Sequence, residues 1–108
     1  MARKVSDGLA VKLTATKTIA AKALTREAGF HGVAFRGASS GEEVVIAIEQ
    51  CEIEVTVGGG VTAAVGDILY ITDAGVITNT SSGNTACLKV TVAKDTNNVV
   101  WGILLPQV

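Results

Sequence analysis

Rings, thiols and imidazoles are all scarce in this chain, and each scarcity excludes something. Aromatic residues make up 4% of the 108 residues, namely Phe30, Phe35, Tyr70 and Trp101, although 48% of the chain is hydrophobic. The core must therefore be assembled from Val, Ile, Leu and Ala, which contribute less buried area per side chain than rings do. A chain of this length holds one domain and buries roughly 60–70% of its unfolded surface. Such a thin core suits a protein that gains stability from its neighbours. Two cysteines, Cys51 and Cys87, are too few for a disulfide framework and read as small buried hydrophobes in a reducing compartment. His31 is the only histidine, so a two-cysteine metal site would lack its remaining ligands. Nine basic residues face ten acidic ones, for a net charge of −1. No broad basic field is available to displace counterions from a phosphate backbone, which argues against a nucleic-acid partner. No apolar run approaches the roughly 20 residues of a membrane span. The opening MARKVSDG lacks the apolar stretch of a signal peptide. The expectation is a soluble protein, made in the cytoplasm, with no membrane or cofactor partner.

Short β-rich segments separated by turn residues recur about every eight to twelve positions, the pattern of an all-β sandwich or barrel. Leu9, Val11, Leu13 and Ala15 alternate with Ala10, Lys12, Thr14 and Thr16, as in a half-buried first strand. Residues 18–27 are compatible with an extended segment or with a short helix ended by Gly29. Residues 32–36 read as a strand, and Gly37 to Gly41 as a loop of small residues. Val44, Ile46 and Ile48 share one face, while Cys51, Ile53, Val55 and Val57 share another. The inward parity changes between Ile48 and Cys51, which predicts a bulge or tight bend at Glu49–Gln50. Gly58–Gly60 reads as a tolerant connector, since a phosphate loop needs a lysine and a helix start after its glycines. Asp73–Ala74–Gly75 has the chemistry of a hairpin turn between residues 68–72 and 76–79. Ala86, Leu88, Val90 and Val92 alternate with Cys87, Lys89 and Thr91. In the closing segment, Val99, Trp101, Ile103 and Leu105 lie on one face and Val100, Gly102 and Leu104 on the other. Neither face is polar, so one of them is either covered within the fold or kept for an interface. Trp101 and Leu104 are the candidate oligomer-interface residues.

Machinery for chemistry is not recognisable. His31 sits between Phe30 and Gly32 in a predicted strand, a setting for a structural histidine. Ser39 and Ser40 lie outside any G-x-S-x-G elbow. Glu42 and Glu43 are adjacent at a strand start, where side chains point to opposite faces. Glu52 and Glu54 share a face but read as solubilising charges on a sheet edge. The hairpin tip at Asp73–Ala74–Gly75 carries no lysine for a biotin or lipoyl group. The chain reads as a binding module and not as an enzyme.

In order and spacing, the segments GVAFRGASSGEEVVIAIE (32–49) and VGDILYITDAG (65–75) resemble the capsid decoration, or cement, proteins of tailed bacteriophages. The resemblance runs from Asp7–Gly8 to Leu105. It is carried by the strand ending Leu13–Thr14–Ala15; by Gly32–Val33–Ala34 with Ala38 and Gly41–Glu42–Glu43–Val44; by Ala64–Val65–Gly66–Asp67 with Tyr70; and by the run Thr78 to Thr85 before the closing strands. The chain departs from the pattern at Gln50–Cys51, where glycine is expected, and at Ala21–Lys22, where a Gly-Asp turn is usual. The resemblance implies a non-enzymatic accessory protein that docks on the outside of the mature head, typically as a trimer, and clamps neighbouring major capsid protein subunits. It also implies a small β domain over residues 8–108 and an extended N-terminal arm over residues 1–7. Within that arm, Ala2, Arg3, Lys4 and Val5 are candidate capsid-binding residues, and a frayed, solvated tail is the alternative. Other virion components (a head-fibre base or tail subunit) and a small-ligand-binding β-barrel are the competing readings.

Overall fold

The computed structural model describes residue 2 and residues 8–107. These contain nine strands and no helix: β1 (Ala10–Thr14), β2 (Leu24–Glu27), β3 (Phe30–Ala34), β4 (Glu43–Ala47), β5 (Glu52–Thr56), β6 (Ile68–Ile71), β7 (Ile77–Thr78), β8 (Thr85–Val92) and β9 (Val99–Leu104). They form two sheets, one in the order β1-β4-β3-β2 and the other in the order β5-β9-β8-β6-β7. Every pairing between named strands is antiparallel. The all-β expectation holds, and the ambiguous stretch 18–27 is extended: Ile19 bridges to Ala38 and β2 follows.

Each sheet gathers its own apolar cluster. Ile19, Ala34, Val44 and Ile46 anchor the four-stranded sheet, and Leu69, Ile71, Leu88, Val90 and Val100 anchor the five-stranded one. The parity change after Ile48 is real but has a different cause from the one its pattern suggests. β4 ends at Ala47, the chain crosses through residues 48–51, and β5 opens in the other sheet. Alternation restarts because the face it refers to is new, so no single strand is bulged there.

The bulges lie instead in β8. Leu69 pairs with Leu88 but Tyr70 pairs with Ala86, leaving Cys87 as an extra residue. Val90 pairs with Gly102 but Val92 pairs with Trp101, leaving Thr91 as a second. Each extra residue reverses the facing of the strand beyond it. That is why Cys87 and Leu88 are both buried while Val92 is exposed. The β2–β3 hairpin turns through Ala28 at φ 51° and Gly29 at φ 84°. These are the two left-handed residues that a tight hairpin of this kind demands, and alanine is an uncommon choice for the first.

The sheets are tied together by polar contacts. The Gln107 side chain clamps β3, donating to the His31 carbonyl at 2.7 Å and accepting from the His31 N–H at 2.8 Å. Arg26 of β2 reaches Asp73 in the β6–β7 turn at 3.1 Å. Within the four-stranded sheet, β2 is tied to the segment after β1 through Glu27, which is 2% exposed. Its carboxylate accepts from the Thr16 N–H, from Thr16 Oγ1 at 2.9 Å and from Lys17 Nζ at 3.2 Å.

Candidate docking surface

Among the described residues, no group of three or more His, Cys, Asp or Glu is placed to hold a metal. His31 is 1% exposed, with Nε2 2.8 Å from the Leu105 carbonyl and Nδ1 buried without a partner. Burial pushes its pKa down; the bond to Leu105 opposes that shift and the nearby Arg26 charge adds to it. Burial by itself would raise the Glu27 pKa, but the bonds from Thr16 and Lys17 outweigh it and hold the carboxyl below its ordinary value. Both residues serve the fold. Glu42 accepts from the Ser39 N–H at 2.6 Å, closing the 37–41 loop on itself. The cysteines part company. Cys87 is fully buried and its thiol is pushed up to about 12 by desolvation. Cys51 is exposed, which corrects its reading as a buried hydrophobe, because it sits in the crossover between the sheets.

His31 and Glu27 each make the fold less stable in acid. Unfolded, His31 takes up a proton below about pH 6.5, whereas in the fold it resists until lower pH. Its contribution is therefore complete above pH 6.5 and is lost as pH falls through the lowered folded value. Glu27 follows the same sign from 4.5 downward. Urea unfolding between pH 8 and 4 is expected to show a flat plateau above pH 6.5 and declining stability below it. His31→Gln should remove the first part of that decline. Stability that rises between pH 7 and 5 would contradict this assignment.

The exposed chemistry of the five-stranded sheet is of another kind. Along β9, Val100, Gly102 and Leu104 face inward, while Trp101 and Ile103 face out with 42% and 37% exposure. Leu104 is 1% exposed, so its side chain is spent on the core, and the outward partner of Trp101 is Ile103. Across the ladders Ile103 lies between Glu52 of β5 and Lys89 of β8, and Trp101 lies between Glu54 and Val92. The result is an apolar stripe of Trp101, Ile103 and Val92 with a carboxylate rail on one side. Trp101 Nε1 donates to Glu54 at 2.8 Å and Thr91 Oγ1 donates to Glu52 at 2.7 Å. These bonds hold both carboxylates over the stripe. A lone tryptophan oriented by its own hydrogen bond yet left open to solvent is suited to a contact surface.

Of the candidate arm residues, Ala2 is exposed; Arg3, Lys4 and Val5 lie outside the described residues. The candidate arm precedes β1, one of the two outermost strands of the four-stranded sheet. Sequence reasoning missed Ile103, Val92 and the carboxylate rail as parts of one surface, since the pairing of β9 with β5 and β8 is what assembles them. The period-two alternation of Glu52, Glu54 and Trp101 was the available signal.

A family model described as "Phage cement protein" matches residues 5–105. No curated protein matches the chain.

Proposed function

The chain belongs to the phage cement protein family, and from that premise we propose that it binds the outer surface of a mature phage head and stabilises contacts between major capsid protein subunits, without catalysing a reaction. Family membership implies a structural role in association with the capsid. The match over residues 5–105 carries the reading, and the physical chemistry agrees with it. The described surface offers an apolar stripe with a polar rim, the anatomy of a protein interface. The protein is made in the host cytoplasm and ends on the virion as a homotrimer. The trimer uses the Trp101 face between copies, and the arm residues Ala2, Arg3, Lys4 and Val5 reach the shell. Modest contacts suffice, because a repeating shell multiplies them into avidity, and docking that favours the native state also stabilises it.

The test is occupancy on expanded shells stripped of the protein, comparing the full chain with a variant lacking residues 2–7. The full chain is expected to sediment with the shells and the truncated one to remain in solution with an unchanged melting temperature. Equal occupancy would rule the arm out as the docking element.

A further inference from the structure

Among the described strands, β1 and β2 are outermost in one sheet and β5 and β7 in the other, and the edges of β1 and β5 match. Among the described residues no strand covers the outer side of either. The ladders show which backbone groups point outward. In β1, Ala15 N–H donates to Glu42 and Ile48 N–H to the Leu9 carbonyl, so the odd residues bond inward to β4. Ala10, Lys12 and Thr14 therefore turn their N–H and C=O groups to the open side. In β5, Leu104 N–H donates to the Cys51 carbonyl and Val57 N–H to the Asn98 carbonyl. By the same alternation, Glu52, Glu54 and Thr56 present theirs outward.

Side chains follow the same parity. Lys12 and Thr14 on one edge, and Glu52, Glu54 and Thr56 on the other, are exposed. Val11 and Leu13, and Ile53 and Val55, are half-buried toward the cores. A groove of about 450 Å³ runs along Glu54 to Gly58, lined also by Lys22 to Leu24 and Gly75 to Ile77 of the same chain, and a strand pairing with β5 would enter it. Neither edge carries a proline, inward charge or bulge. The charges that guard them, Lys12 on one and Glu52 and Glu54 on the other, repel a like edge and are opposite in sign to each other.

We propose that β5 of one copy pairs antiparallel with β1 of a second copy of this chain, with Lys12 opposite Glu54, Ala10 opposite Thr56 and Thr14 opposite Glu52. In this register all six residues exchange backbone bonds, about two per pair. A lysine meets the carboxylate rail directly, while Val11 and Leu13 come beside Ile53 and Val55. Shifting the register by one residue would set exposed side chains against apolar ones. The contact is head-to-tail: each copy gives one edge and accepts the other, which generates a closed ring when the rotation permits. It adjoins the Trp101 stripe, one strand further in. The inference deepens the homo-oligomer reading above and rests on it.

The test is covalent capture in a Cys51→Ser background. Lys12→Cys and Glu54→Cys, introduced together, occupy a hydrogen-bonded pair position with Cα atoms about 5.5 Å apart, within disulfide range. Oxidation is expected to give interchain dimers and a closed trimer band, in solution or on stripped expanded shells, while either single cysteine gives no closed band. Charge reversal supplies the second arm. Lys12→Glu alone and Glu54→Lys alone should each weaken self-association at least 10-fold, and the two combined should restore it. Absence of cross-links both in solution and on occupied shells would overturn the pairing, as would full association in both single reversals. The two readings fail separately. Cross-linked rings that never bind shells would refute the cement role and keep the pairing, whereas full shell occupancy without cross-links would do the opposite.

Discussion

Gly32→Ala is expected to lower the melting temperature by about 12 °C or more. A Cβ built on Gly32 would land on the Ala47 carbonyl oxygen and come 2.6 Å from Cγ2 of Ile46. The first of these obstacles is β4 backbone and cannot swing away as a side-chain tip would. Accommodation requires β3 and β4 to separate, which disturbs the ladder pairing Val33 with Ala47 and Ala34 with Ile46. Overpacking of this kind costs about 3 kcal/mol, a large share of the 5–15 kcal/mol that typically holds a small domain together. At roughly 4–8 °C per kcal/mol, the shift is easily read by calorimetry. Gly59→Ala is the control. Its Cβ meets nothing within 4 Å, and the melting temperature should stay within about 3 °C of the parent, as for surface substitutions generally. Equal, small shifts in both variants would mean that β3 and β4 approach less closely than described.

The second large effect concerns assembly. Trp101→Ala combined with Ile103→Ser is expected to weaken self-association about 30-fold or more. Buried aromatic anchors at interface centres are worth about 2 kcal/mol or more when truncated. Both side chains face outward, so the loss should appear in sedimentation equilibrium with little change in unfolding. Leu104→Asp, by contrast, would place a charge in the core and is expected to unfold the domain, so it cannot report on an interface. Unaltered association in the double variant would remove the Trp101 face from the assembly.

Much of this fold was legible because alternation is a local property. The facing of Val44 and Ile46, the hairpin at Asp73–Gly75 and the two faces of β9 all follow from period two and turn chemistry. What stayed hidden depends on a partner strand. The pattern around Glu49–Gln50 records that the facing changes but not that the chain has entered another sheet. The extra residues Cys87 and Thr91 leave no mark in the alternation of β8, since a bulge is defined only against the neighbour's register. On β9 both faces are apolar, so the sequence could separate Trp101 from Leu104 by parity without telling which was inside. Glycine weakens a strand by propensity, and nothing local in the sequence shows why it stands at 32 and 102. Gly102 is required because a Cβ there would lie 2.6 Å from Cγ of Leu88 and 2.8 Å from the Lys89 carbonyl oxygen. The turn at Ala21–Lys22, where the resemblance led to the expectation of Gly-Asp, places Lys22 at φ 61°, a left-handed conformation whose strain is borne by a non-glycine residue.

The central claim is tested most directly by titrating stripped shells of the parent phage, expanded and unexpanded, with the purified protein and measuring sedimented copies. A cement role predicts saturable binding to expanded shells, with a plateau in fixed proportion to the major capsid protein subunits. Absence of saturable binding to either form would contradict it and place the protein elsewhere on the virion.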